Sequence, residues 1–103
     1  MNVITVEEFK NKVATDAASL FILDVREDAE VAELPVKNAG NVHHIPMGDV
    51  KLQLDKIPQD KIVIVICRSG ARSGMVTEHL VEQGYPDVLN LIGGVMAWEQ
   101  SNS

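Results

Sequence analysis

The sequence predicts an α/β fold, a mostly parallel sheet flanked by helices on both faces, in one domain spanning residues 1–103. Three observations predict it. Short apolar runs alternate with amphipathic segments along the whole chain, which is the pattern of repeated strand–helix units. The runs Ile62–Ile66 and Leu20–Leu23 are apolar without interruption, as expected of strands buried on both faces. A length of 103 residues supports one hydrophobic core and is too short for two.

Val3 and Ile4 form a short first strand. Thr5 with Glu8 is a capping box, and Val6, Phe9 and Val13 follow at helical spacing. Leu20 to Val25 reads as a buried strand. Arg26 to Leu34 reads as a short helix that Pro35 stops. A loop from Val36 to Asn41 turns at Asn38-Ala39-Gly40. Val42 to Ile45 is a strand closed by Pro46, and Val50 to Ile57 a short helix, although the alternation of Val50, Leu52 and Leu54 also suits a strand. Ile62 to Ile66, β-branched throughout, is the clearest strand. Ser73 to Gln83 repeats apolar residues at helical spacing, and Gly84 suits its C-terminal cap. Val88 to Ile92 is the last strand, and Gly94 to Glu99 a closing helical turn or two.

Composition narrows the function. Hydrophobic residues make up 46% and charged residues 23%, ordinary for a globular protein. The net charge of −6 disfavours a nucleic-acid or anionic-membrane partner, since both select a basic face. No stretch approaches the ~20 apolar residues of a membrane span. The N-terminus lacks the basic and apolar regions of a secretion signal. A single cysteine forms no internal disulfide, which fits a reducing compartment. These features together predict a cytoplasmic protein.

Cys67, the only cysteine, ends the clearest strand and opens the loop Arg68-Ser69-Gly70-Ala71-Arg72 ahead of a helix starting near Ser73. Ligands in parallel sheets bind beyond the carboxyl ends of the strands. Gly70 permits the positive φ that lets consecutive N–H groups curl inward into an anion-binding bowl. The positive end of the helix macrodipole adds to it. Cysteines in such settings ionise at ~3.5–7.5 rather than ~8.5. Arg68 and Arg72 make the loop a cationic spot on an acidic protein, suited to a small anion. Asp24 and Arg26, after another strand, are expected at the same edge, as catalytic groups or, more simply, as groups that fix the loop, because isolated charges at a sheet rim usually pair.

The Cys67–Arg72 loop, Asp24-Val25-Arg26-Glu27, Ile45-Pro46 and Leu91-Ile92-Gly93-Gly94-Val95-Met96-Ala97-Trp98 together resemble the single-domain rhodanese family, over about Val3 to Trp98. The ordered combination is far more specific than any one motif. The resemblance implies a rhodanese-like, five-stranded sheet flanked by helices. It implies a thiosulfate sulfurtransferase in which Cys67 is the nucleophile. Cys67 would take a sulfane sulfur from a small anionic donor such as thiosulfate, become a persulfide, and pass the sulfur to a thiol or cyanide. Arg68, Ser69, Gly70, Ala71, Arg72 and Ser73 would surround the substrate sulfur. No cofactor or metal is implied. The segments Val31–Val36 and Lys37–Val42 depart from the family pattern, where Gly-His-Ile-Pro-Gly-Ala is usual. That departure bears on the local loop and on acceptor docking, and leaves the cysteine loop intact.

Plainer roles compete for several of these residues. Arg72 serves equally as a substrate contact or as a structural arginine pairing a carboxylate such as Asp24. Ser73 is more simply a helix cap. His43 and His44 point to opposite faces of a strand and cannot share a metal ion. His79 reads as a packed or surface side chain, Gly93-Gly94 as a tight turn with close backbone approach, and Trp98 as a core seal. Two other functions compete with sulfur transfer. A cysteine phosphatase or arsenate reductase needs a wider loop, and related phosphatases carry one residue more than the four between Cys67 and Arg72. A persulfide carrier or interaction module would use the same cysteine and differ only in its protein acceptor.

Overall fold

The computed structural model describes residues 2–102, so Met1 and Ser103 of the expected domain lie outside it. Five strands form one sheet: β1 (Val3–Ile4), β2 (Leu20–Asp24), β3 (Val42–His44), β4 (Ile62–Ile66) and β5 (Val88–Leu91), in the order β1-β5-β4-β2-β3. Every pairing is parallel. Among the described residues three α-helices connect strands, α1 (Val6–Asp16), α2 (Asp28–Glu33) and α3 (Ala71–Glu82), and a fourth, α4 (Gly94–Ser101), follows β5. Among the described residues no helix is long and apolar enough to cross a membrane.

The two-residue period of β4 divides the core. Ile64 and Ile66 face a layer with Phe9, Leu91, Val95 and Trp98. Val63, Val65 and Cys67 face the opposite layer with Val76, Leu80 and Tyr85. Cys67 therefore continues the alternation of β4 onto the face covered by α3. The register pairs Asp24 with Ile66, the residue before Cys67, so the ends of β2 and β4 lie side by side at one edge.

Local signals explain most boundaries. The α1 capping box is present: the Glu8 amide donates to Thr5 Oγ1 at 3.1 Å, and the Thr5 amide donates to Glu8 Oε1 at 2.9 Å. Gly84, at φ +94°, follows α3 in the conformation that its Cβ-free backbone favours. Phe9 of α1 packs on Trp98 of α4, with ring centroids 5.0 Å apart. Trp98 Nε1 donates to the Lys37 carbonyl at 2.6 Å, which ties the chain ahead of β3 to the core. His43 stacks on Phe21, whereas His44 Nε2 bonds the Arg26 carbonyl on the other side, so the two rings diverge.

Three details differ from the sequence expectation. The segment expected as a helix over Val50–Ile57 is a 3₁₀ helix, Lys51–Lys56, broken at Gln53 (φ −119°). Its apolar residues are too few and too closely spaced to bury a full α-helical face. Leu52, which a strand would bury, is 83% exposed. Secondly, α3 begins at Ala71, two residues before Ser73, because Gly70 takes the N-cap position at φ +112°. Thirdly, α2 begins at Asp28, with Glu27 as its N-cap, so Arg26 lies ahead of the helix.

Candidate active site

The cysteine loop is shaped by what holds its carbonyl groups. The Cys67 carbonyl accepts from the Val95 amide at 2.9 Å, and the Arg68 carbonyl from the Met96 amide at 3.2 Å. The Gly70 carbonyl accepts from the Gly74 amide at 3.0 Å and from Asn90 Nδ2 at 3.1 Å. With these carbonyls engaged outside the loop, its N–H groups are free to face the sulfur. The first turn of α4 supplies two of the four donors and can approach so closely only because Gly94 has no Cβ.

Inside the loop, the Gly70 amide donates to Cys67 Sγ at 3.1 Å, and Ser73 Oγ lies 3.2 Å from the sulfur. Burial pushes the Cys67 thiol up. The Ser73 hydroxyl and the amides of Ser73, Gly70 and Ser69 together outweigh it and hold the thiol below its ordinary value of 9.0. Cys67 is only 1% exposed. A cysteine that deep among Val65 and Val76 would be inert were its sulfur not ringed by donors.

Arg72 and Asp24 do not meet. Arg72 forms a two-pronged pair with Glu30, 2.7 Å from Nη1 to Oε1 and 2.8 Å from Nη2 to Oε2. Asp24 instead takes Arg26, through Nε and through Nη2 at 2.8 Å, as a buried ion pair. The α2 helix explains the exchange. The Glu30 carbonyl accepts from Arg26 Nη1 at 3.2 Å while its carboxylate grips Arg72. Glu30 thus links the rim of β2 to the cysteine loop. Arg68 is exposed, and its guanidinium has no hydrogen-bond or ion-pair partner among the described residues. It lies beside a cavity of about 220 Å³ also lined by Glu30, Leu34 and Met96. Ser69 and Ala71 contribute main chain to the loop, and both side chains are exposed.

Ser73 differs from the cap expected of it. As the third residue of α3 it directs its hydroxyl to Cys67 Sγ and to Asn90 Oδ1. Sequence reasoning missed Glu30 and Asn90. Asn90 carried a signal, a polar residue inside the apolar run Val88–Leu91. Glu30 carried only its four-residue spacing from Arg26. His79 is half-buried, and its Nε2 has no partner among the described residues. Among those residues no group of three or more His, Cys, Asp or Glu side chains could hold a metal ion.

The Arg72 guanidinium and the Glu27 amide hold the Glu30 carboxyl well below its ordinary 4.5, at about 2. The sign follows from linkage. A carboxylate whose folded pKa is depressed contributes stability above its unfolded pKa and loses it as pH falls through the folded value. Glu30→Gln should therefore destabilise the domain by about 1 kcal/mol at neutral pH, the upper range for an exposed pair. The gap to the parent protein should close between pH 4.5 and about 2. Paired chemical melts across that range check it.

The rhodanese-like domain family model matches residues 5–101. A Bacillus subtilis relative named "Putative sulfurtransferase YtwF" is 44% identical, over 93% of this chain and 88% of its own length. "Thiosulfate sulfurtransferase GlpE" of Coxiella burnetii is 36% identical, over 78% of this chain and 72% of its own. A crystal structure of a rhodanese-like domain protein from Staphylococcus aureus superposes with a TM-score of 0.83 at 35% identity, covering 95% of this chain and 91% of that one.

Proposed function

The chain belongs to the rhodanese-like domain family, and we propose that it is a sulfurtransferase moving a sulfane sulfur through a persulfide on Cys67. One observation carries the reading: the only cysteine has its sulfur inside a loop that turns N–H groups and a hydroxyl onto it. Such donors stabilise a sulfur anion before and after it gains a second sulfur.

The electrons balance without a cofactor. The Cys67 thiolate attacks the outer sulfur of thiosulfate and forms a new S–S bond. The bond to the inner sulfur breaks, and sulfite leaves with its electron pair. Sulfite needs no proton to depart, so the lack of a carboxylic acid beside Cys67 is no obstacle. A thiolate or cyanide then attacks the terminal sulfur, takes it, and returns Cys67 as the thiolate.

The two arginines divide the work. Arg72 is committed to Glu30, which supports a structural role, and unpaired Arg68 is left to draw in the anionic donor. Arg68→Ala should raise KM for thiosulfate about tenfold, the loss of one charge-assisted contact, with kcat little changed. An unchanged KM would remove Arg68 from donor binding. The reading itself is tested by intact mass after incubation with thiosulfate. Gain of one sulfur atom, lost again on adding cyanide with release of thiocyanate, supports it. Persulfide formed but not passed to small acceptors would favour a carrier serving a protein partner. Turnover of a chromogenic phosphate ester with no sulfur uptake would favour a phosphatase.

A further inference from the structure

We infer that Asn90 is a positioning residue for Cys67, acting by competing with the sulfur for the hydroxyl proton of Ser73. The inference deepens the persulfide reading, but concerns only the protonation of the thiol. Asn90 stands on β5 and reaches across to the cysteine loop. Its Nδ2 donates to the Gly70 carbonyl at 3.1 Å, which fixes Oδ1 as the atom facing Ser73. Ser73 is fully buried. Its hydroxyl lies against two acceptors, Asn90 Oδ1 and Cys67 Sγ, and it has one proton to give.

The two states of the cysteine demand opposite orientations. A protonated Cys67 donates S–H to Ser73 Oγ, and Ser73 then donates to Asn90. A thiolate has no proton, so Ser73 must turn its own proton to the sulfur and give up Asn90. The cysteine's proton goes to solvent, the serine's proton only reorients, and no covalent bond of Ser73 or Asn90 changes. Each ionisation of Cys67 thus costs the Ser73–Asn90 bond, and Asn90 restrains how far the loop can lower the thiol pKa.

Two near-isosteric variants separate this from simple loop support. Asn90→Leu and Asn90→Asp both lose the donor to Gly70. They differ in what faces Ser73, an apolar group in one and a strong acceptor in the other. Other charges near the site are common to both: Arg68 on the loop, Arg72 at the start of α3, Glu30 on α2, Asp24 and Arg26 at the end of β2, and Glu78 and Glu82 on α3 near Asn90. Thiolate absorbance in the ultraviolet reports Cys67 alone, as the only cysteine, and burial pushes the single tyrosine, Tyr85, above its usual 10.0.

The Asn90→Asp variant should have a Cys67 ionisation constant about tenfold or more below that of the Asn90→Leu variant, a difference of about one pKa unit or more. In a Ser73→Ala background the difference should shrink to about threefold, the remainder due to direct charge repulsion. Equal constants in the parent background, or an undiminished ratio without Ser73, would overturn the inference. Should either Asn90 variant fail to fold, the parent protein provides the test. The side-chain amide resonances of Asn90 should shift with the Cys67 midpoint, and resonances unmoved through that midpoint would equally overturn it. Neither readout requires sulfur transfer, so failure here is distinct from failure of the persulfide mechanism.

Discussion

Replacing Cys67 with serine is expected to abolish both sulfur uptake and sulfur transfer, lowering turnover by about a thousandfold or more, the scale on which a covalent nucleophile is lost. The substitution exchanges one atom at a site ringed by donors, so the loop should persist and the fold should be unharmed. A hydroxyl cannot be ionised by this loop at neutral pH. The donors around Cys67 shift a group whose ordinary pKa is 9.0, and an alcohol starts many units higher. Oxygen also lacks the soft, polarisable electrons that make a sulfane sulfur a good target for thiolate. The check is paired: a thiosulfate–cyanide assay, and intact mass after thiosulfate, with the melting temperature showing that the variant is folded. Undiminished sulfur uptake by the serine variant would place the chemistry elsewhere.

Gly94→Ala is expected to disable the site by a different route. The new Cβ would lie 2.5 Å from the Arg68 carbonyl oxygen and closer still to that of Cys67. These are the carbonyls that the first turn of α4 holds, through Val95 and Met96. Backbone cannot rotate out of the way as a side chain can, so α4 and the loop must separate. The left-handed conformation, φ +59°, costs a residue with a side chain about 1–2 kcal/mol. Overpacking adds about 1–3 kcal/mol. Transfer should fall about a hundredfold, as when catalytic groups are misplaced by about an ångström, and the Cys67 pKa should rise. Gly40→Ala is the control. Gly40 also has a positive φ, +90°, but a Cβ there meets nothing within 4 Å. It should cost stability and leave the thiol pKa where it was. An equal effect of both substitutions on the thiol would mean that α4 does not shape the loop.

The fold was legible because its signals are local and mutually consistent. The unbroken apolar run of β4, the Thr5–Glu8 capping box and the glycine after α3 each specify their own element without help from the rest of the chain. The place of Cys67 in the fold was legible for the same reason, at a strand end before a Gly/Arg loop. What could not be read is what tertiary packing chooses. Two carboxylates stood within reach of Arg72 in principle, and only the placement of α2 gives it to Glu30, leaving Asp24 to Arg26. The start of α3 is set by the positive φ of Gly70, which moves Ser73 inside the helix and makes its hydroxyl available to sulfur. The depth of Cys67 was likewise hidden. A strand end suggests a rim, but Cys67 packs beneath α3 with Val76 and Leu80 and is 1% exposed.

The most direct measurement is the titration of Cys67 in the unmodified protein by its thiolate absorbance. A midpoint clearly below the ordinary 9.0, moving upward when Ser73 is replaced by alanine, is the result that a donor-lined loop requires. A midpoint at or above 9.0, unaffected by that replacement, would mean that burial prevails over the hydrogen bonds and that Cys67 is a core thiol.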